Sequence, residues 1–90
     1  MAMKINHVSI CVRNLDEAVA RYKKILRVEK AFNFGIVEWE GVKAAGIPLG
    51  DFVLEFVEPV GTNTFSRFLE KHGEGLHHIS FTVDDVESER

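Results

Sequence analysis

Apolar and polar residues alternate along the first segment of the chain, from Lys4 to Arg13. One face carries Ile5, His7, Ser9 and Cys11, and the other carries Val8, Ile10 and Val12. A period of two with several β-branched residues predicts a β-strand, because successive side chains of a strand point to opposite sides. This strand has one aliphatic face and one polar face that begins with a histidine.

The next stretch, NLDEAVARYKKILR, has apolar residues at every third or fourth position and predicts an amphipathic helix. Asn14 is in the position of an N-cap, and Asp16 and Glu17 place negative charge in the first turn, where the helix dipole favours it. The apolar stripe consists of Leu15, Ala18, Val19, Tyr22, Ile25 and Leu26.

Residues 28–58 predict three strands in an antiparallel meander, at 35–40, 42–49 and 52–58. Glycines at positions 41 and 50 mark the turns. The middle strand is the weakest of the three because Gly46 and Pro48 interrupt it. In the outer two strands, Glu38 and Glu55 fall on the faces opposite the largest hydrophobic side chains.

Residues 64–72 predict a short helix that ends at Gly73. Residues 76–83 alternate again, with His78 and Ser80 on one face and His77, Ile79, Phe81 and Val83 on the other. The final letters, DDVESER, predict the start of a further helix with Asp84 or Asp85 as its cap.

The chain contains an internal repeat. INHVSICVRNLD, from Ile5 to Asp16, and LHHISFTVDDVE, from Leu76 to Glu87, share the pattern x-H-[VI]-S-[IF]-x-V followed by a polar pair and the start of a helix. The first copy leads into a helix and three strands. The second copy reaches only its first strand and the opening of a helix before the chain stops.

Four of the predicted strands have a polar face, and these faces carry metal-ligand residue types. They supply His7, Ser9, Glu38, Glu55, His78 and Ser80. If the sheet curls, these side chains line a cup, and two imidazoles with one or two carboxylates make a candidate site for a divalent metal. Burial of such groups without a partner costs several kcal/mol per ion. The alternative is that both glutamates lie at exposed edges and the histidines are ordinary, partly buried residues.

The remaining histidines and the cysteine are weaker candidates. Alternation places His77 against a helix, so we expect it to pack there or to lie beside a ligand. His72 is at a helix end, where positive charge is favourable. Cys11 shares the His7 face, but a lone cysteine in a strand usually behaves as a small hydrophobic residue.

Composition restricts the class of protein. A chain of 90 residues, 46% hydrophobic and 28% charged, is enough for one small globular domain. The net charge of −3 and the absence of a Lys/Arg run argue against a nucleic-acid partner. No apolar run is long enough for a membrane span, and a single cysteine cannot form an internal disulfide. We therefore predict a cytoplasmic protein with no membrane and no nucleic-acid partner.

The segment INHVSICVRNLDEAVARYKKIL resembles the opening βα unit of the vicinal oxygen chelate superfamily, which includes glyoxalase I, extradiol dioxygenases and antibiotic-resistance proteins. FVLEFVEPVGTNTFSRFLEKHGEGLHHISFTVDDVE is similar to its methylmalonyl-CoA epimerase branch, in particular the LE-x-x-EP and GEGLHHI stretches. The resemblance covers nearly all of the chain. It implies an α+β fold in which a βαβββ module forms a curled mixed or antiparallel sheet.

The resemblance also implies roles for individual residues. His7, Glu55 and His78 match metal ligands of the family, and Glu38, in its GIVE setting, matches the proposed catalytic glutamate. The fourth ligand and the opposite acid or base of the family are expected beyond residue 90. The implied domain is single and incomplete, with a first βαβββ module at about 4–60, a connecting helix at about 64–72 and the start of a second module at about 76–90.

The implied reaction interconverts (R)- and (S)-methylmalonyl-CoA by proton removal and return at C2. The cofactor is a divalent metal, with cobalt, manganese, nickel, zinc and magnesium not distinguished, and the partner is an acyl-CoA substrate. Two alternatives remain open: another metal-dependent enzyme of the superfamily, of lyase or dioxygenase type, or a non-catalytic half-module that binds a small ligand or self-associates. A sheet edge left without a neighbour predicts a homodimer.

Overall fold

The structure is a computed structural model that describes residues 3–83 of the chain. Its elements in chain order are β1 (Met3–Cys11), α1 (Leu15–Leu26), β2 (Phe32–Val37), β3 (Val42–Leu49), β4 (Phe52–Pro59), α2 (Thr64–His72) and β5 (Gly75–Val83). The five strands form one sheet in the order β2-β3-β4-β1-β5. The β1–β4 pair is parallel and the other pairs are antiparallel. The predicted α+β class with a mixed sheet is confirmed.

Helix α1 begins where the sequence predicts. The side chain of Asn14 accepts a hydrogen bond from Glu17 N at 3.0 Å, and the Glu58 carboxylate at the end of β4 accepts one from Leu15 N at 2.7 Å. These two acceptors satisfy amide groups that have no partner within the helix. Arg27 ends the helix in the left-handed conformation. Glu58 thereby ties the start of α1 to the centre of the sheet.

One face of the sheet packs against α1. Its core consists of Val12, Leu15, Ala18, Ala45, Ile47 and Phe56, and the Tyr22 ring lies tilted beside Phe56 with the ring centroids 5.0 Å apart. Ile25 and Leu26, the last residues of the predicted stripe, are exposed instead of buried. Thus the apolar stripe is buried against the sheet over its first turns but not at its C-terminal end.

The opposite face of the sheet packs against α2. The buried residues here are Cys11, Val42, Ala44, Val57 and Phe65. Helix α2 matches its predicted bounds and begins with a capping box, in which Asn63 and Ser66 exchange side-chain and backbone hydrogen bonds. Because α2 covers only the end of this face near Cys11, the remainder lies beyond the helix and carries the polar residues described below.

The predicted strand at 35–40 is wrong at its C-terminal end. Strand β2 stops at Val37, and Glu38 begins a turn that closes when Gly41 N donates to Val37 O at 2.9 Å. Gly41 has a positive φ of 71°, which explains why glycine is found there. Val37 packs on the face of the sheet that α2 covers. Because neighbouring residues of a strand point to opposite faces, continued alternation would place Glu38 on the other face.

Strand β3 runs without interruption through Pro48, although that residue was expected to weaken it. The pairing of β3 with β2 ends at Phe32 and Gly46. Pro48 lies beyond this pair, so β3 has no β2 neighbour at this position and the missing backbone N–H of proline costs no hydrogen bond to β2. It retains its place opposite Val53 in the pairing with β4.

Strand β5 forms an edge of the sheet and pairs with β1. Its side chains Leu76, Ile79 and Phe81 are 54%, 43% and 54% exposed, respectively. The helix start predicted at Asp84 or Asp85 lies outside the described residues. Within residues 3–83, no helix is long and apolar enough to cross a membrane.

Candidate metal centre

Two neighbouring rows of side chains cross the four strands β3, β4, β1 and β5. The first row is Gly46, Glu55, Ser9 and His78, and the second is Pro48, Val53, His7 and Ser80. Side chains that are directly paired in a sheet point to the same face. Alternation in β1, β4 and β5 thus places His7, Glu55 and His78 together, as expected from the sequence.

The three side chains make close contact. His7 Nε2 lies 3.2 Å from His78 Nε2 and 3.8 Å from Glu55 Oε1. One ligand atom from each of the three residues falls within 4.8 Å of the others, and all three residues are half-buried. The two histidine rings meet edge to face, with centroids 5.3 Å apart. Two nitrogen donors and one oxygen donor therefore converge from three strands.

This donor set fits a divalent metal ion. Two ligands on one tetrahedral zinc, each at about 2.0–2.1 Å, are separated by about 3.3 Å, and the two Nε2 atoms already lie at that spacing. Imidazole with carboxylate also suits other divalent transition metals. Three protein donors leave positions open for a substrate, which is the arrangement of a catalytic metal site.

Ser9 is a further polar residue of the first row and lies between Glu55 and His78. It is 0% exposed, and its hydroxyl has no hydrogen-bond partner among the described residues. A buried hydroxyl without a partner is costly, on the order of 1–3 kcal/mol. A buried hydroxyl without a partner, placed between two candidate ligands, is consistent with a site that binds a further polar group or ion.

We expect Ser9→Ala to stabilise the metal-free protein by about 1 kcal/mol, because it removes a buried polar group that has no partner. For a domain of this size the expected rise in Tm is about 4–8 °C. Thermal unfolding in the presence of a chelator measures it. Ser80→Ala, which removes a half-buried hydroxyl from the neighbouring row, is the control, with an expected change within about 0.5 kcal/mol. Destabilisation by Ser9→Ala would contradict this prediction.

Glu38 does not belong to the cluster of His7, Glu55 and His78. It is exposed in the turn after β2, and β2 lies two strands from β4, about 10 Å across the sheet. This position excludes direct contact with the cluster but leaves Glu38 at the rim of the same sheet. Its assignment as the catalytic residue remains a prediction.

His77 contacts both α2 and the cluster. Its ring stacks on Phe65 at 4.5 Å and meets Phe68 edge-on at 5.0 Å, so it packs against a helix as predicted. The predicted face is wrong, however: alternation groups His77 with Ile79 and Phe81, opposite His78, whereas α2 lies on the face that carries His78, because the pairing of β5 shifts register at His77. Its Nδ1 atom also lies 2.8 Å from Nδ1 of His78. Burial, followed by the charge of His78, lowers the pKa of His77, so the ring favours its neutral form.

The other two weaker candidates lie away from the cluster. His72 is exposed at the end of α2 and contacts the Phe68 ring. Cys11 is fully buried and its thiol donates to Phe65 O at 3.6 Å. Burial, with a smaller contribution from Glu74, raises the pKa of Cys11 to about 11, so the thiol is neutral near pH 7. Cys11 is therefore a packing residue.

A shallow groove also lies between α1 and β2. Its lining includes Leu15, Val19, Lys23, Phe32 and Ala45. Ala45 and Leu15 belong to the core on the α1 side of the sheet, so this groove is on the face opposite the histidines. It contains none of the candidate ligands.

Comparison with known proteins agrees with this fold. Residues 6–90 match the family model of the Glyoxalase/Bleomycin resistance protein/Dioxygenase superfamily. The chain belongs to this superfamily. The match covers nearly the whole chain and includes both copies of the H-[VI]-S repeat.

Curated relatives of this superfamily member include epimerases. It is 34% identical over 85 residues to the mitochondrial methylmalonyl-CoA epimerase of Homo sapiens, covering 92% of this chain and 48% of that protein. It is 34% identical over 91 residues to an ethylmalonyl-CoA/methylmalonyl-CoA epimerase of Cereibacter sphaeroides, covering 96% and 65%. The chain thus spans about half the length of the human relative.

Solved structures of similar superfamily members show the same fold. A methylmalonyl-CoA epimerase in complex with methylmalonyl-CoA and NH4+ aligns with a TM-score of 0.86 at 28% identity, covering 99% of this chain and 66% of that one. A Streptomyces coelicolor methylmalonyl-CoA epimerase variant in complex with 2-nitronate-propionyl-CoA aligns with a TM-score of 0.84 at 29% identity, covering 96% and 66%.

Proposed function

We propose that this chain acts as a methylmalonyl-CoA epimerase, which interconverts the (R) and (S) forms by removing and returning the proton at C2. The observation that carries the proposal is the convergence of His7, Glu55 and His78 within 4.8 Å on one face of the sheet. The epimerase names of the relatives support the choice of substrate. The same names favour an epimerase over a lyase or dioxygenase activity.

His7, Glu55 and His78 are the residues proposed to hold the divalent metal. Cobalt, manganese, nickel, zinc and magnesium all remain candidates, since nitrogen and oxygen donors accommodate each of them to a different degree. When bound, the ion supplies a Lewis acid that polarises the thioester oxygen of the substrate. The half-buried position of the three residues limits the access of water and strengthens their electrostatic interaction with the substrate.

Glu38 is proposed as the group that takes or returns the C2 proton. The C2 carbon lies between a thioester and a carboxylate, so its proton is already weakly acidic. A general base does not need to touch the metal ligands, but it must come within about 3 Å of the proton's heavy atom or act through one water. Glu38 lies at the rim of the sheet, apart from the ligand cluster, a separation that this division of roles permits.

Deuterium exchange at C2 tests this function. The chain is incubated with methylmalonyl-CoA and each candidate metal in deuterated water, and proton NMR follows the loss of the C2 signal. Exchange that depends on the metal, and that stops on chelation, is the expected result. If metal binding is measured but no exchange occurs with any of the five ions, the epimerase proposal is wrong.

A second proposed property is self-association through β5. This strand forms an edge of the sheet and exposes Leu76, Ile79 and Phe81. Exposed apolar edge strands readily pair with a second chain. We therefore propose a homodimer, which light scattering would detect. A dimer that binds no metal and does not act on methylmalonyl-CoA would favour the non-catalytic alternative. We further propose a cytoplasmic location, supported by the single cysteine.

A further inference from the structure

Strands β1 and β5 are related by the sequence repeat, and each contains one bulge. The pairing skips Asn6 between the Ile5 and His7 pairs, and it skips His77 between the pairs Ser9–His78 and Ile10–Leu76. Asn6 immediately precedes His7, and His77 immediately precedes His78. Each bulged residue therefore occupies the same position in its copy of the repeat, directly before a candidate metal ligand.

Both bulged side chains contact the following histidine at the same atom. Asn6 Oδ1 lies 2.8 Å from Nδ1 of His7, and His77 Nδ1 lies 2.8 Å from Nδ1 of His78. An inserted residue in a strand redirects its side chain, which brings two consecutive side chains close enough to interact. In each copy the bulge thus reaches the ring nitrogen that faces away from the cluster.

The chemistry of imidazole gives these contacts a consequence. A neutral histidine carries a proton on one ring nitrogen and a lone pair on the other, and a hydrogen bond at one nitrogen determines which of the two is protonated. An amide oxygen can only accept, so the contact with Asn6 places the His7 proton on Nδ1. If His77 likewise accepts at Nδ1, the proton of His78 is also on Nδ1, and the two Nε2 atoms, 3.2 Å apart, both present lone pairs, which an ion bound between them would accept.

We propose that Asn6 and His77 are a matched pair of positioning residues, which hold the rings of His7 and His78 in the tautomer that presents Nε2 to a metal. The inference rests on the proposed metal site and gives a role to two residues outside the ligand set. Groups that hydrogen-bond the second nitrogen of a ligating histidine typically change metal affinity by about 10–100-fold.

The two residues differ in how firmly they are held. His77 is half-buried and fixed between Phe65 and Phe68 of α2, so its position is set by packing. Asn6 is exposed. Water can replace an exposed acceptor, so His77 carries the larger effect.

Substitution of His77 separates hydrogen bonding from packing. His77→Phe keeps a flat ring against Phe65 and Phe68 but removes the acceptor, whereas His77→Asn keeps an oxygen near the former Nδ1 position. We expect His77→Phe to weaken binding of Zn²⁺ or Mn²⁺ by about 10–100-fold in calorimetry, and His77→Asn to recover most of this loss. Asn6→Ala should weaken binding by no more than about tenfold, and Asn6→Asp should preserve it.

A spectroscopic measurement does not depend on metal or activity. In the metal-free protein, ¹⁵N NMR of the imidazoles should show His78 protonated at Nδ1, and His77→Phe should shift the proton toward Nε2. Unchanged His78 tautomer and unchanged metal affinity in His77→Phe would overturn the proposal and leave His77 as a packing residue. If the wild type binds no metal but His77→Phe still shifts the His78 tautomer, the proposed metal site is wrong, whereas the effect of His77 on the His78 ring is confirmed.

Discussion

Replacing Glu38 with glutamine is expected to slow deuterium exchange at C2 of methylmalonyl-CoA by a factor of about 10² to 10⁴, the usual contribution of a general acid or base. Glutamine has the same shape but cannot take up a proton at neutral pH. Because Glu38 is exposed in a turn, the substitution leaves the buried core untouched. The exchange rate is measured by proton NMR at saturating metal.

Glu40→Gln, two positions along the same turn, is the matched control and should change the rate by less than about twofold, as expected for a residue outside the chemistry. Metal affinity should be the same in both variants and in the wild type, because neither residue belongs to the ligand cluster. A Glu38→Gln protein that keeps more than a tenth of the exchange rate would remove Glu38 from the mechanism.

Replacing His78 with alanine is expected to lower the affinity for divalent metal by about 100-fold or more, equivalent to about 2.7 kcal/mol of binding free energy. It removes the one ligand that connects β5 to the cluster and leaves His7 and Glu55 as a two-donor site. Calorimetric titration with Zn²⁺ or Mn²⁺ measures the change.

His72→Ala removes an exposed histidine from α2 and serves as the control, with an expected change of less than about twofold. His7→Ala should reproduce the loss seen for His78→Ala, which guards against misfolding of one variant. Circular dichroism checks that each protein retains its secondary structure. Wild-type affinity in either ligand variant would disprove the proposed site.

Alternation along single strands predicted a large part of this molecule. The faces of β1 and β4 were predicted well enough to bring His7 and Glu55 together, and the cap at Asn14 and the bounds of α2 were also found. These features are local, because they depend on side-chain period and capping chemistry within a few residues.

The features that sequence alone did not predict depend on pairing between strands. A bulge inserts one residue and disrupts the period of two, so alternation could not show that Asn6 and His77 reach the neighbouring histidine rings. Nor could it show that β2 ends before Glu38, because that end is set by the turn at Gly41. The position before the histidine in each repeat was the available signal for the bulged pair.

The contact between His7 and His78 joins residues that are 71 positions apart in the chain. An ion held between them would cross-link the first and last described strands, and the last strand lies at an edge of the sheet. At a concentration 100 times its Kd, such a ligand stabilises the native state by about 2.7 kcal/mol. Amide hydrogens of β5 would then exchange more slowly with solvent, so the proposed ion would also hold the last described strand in the sheet.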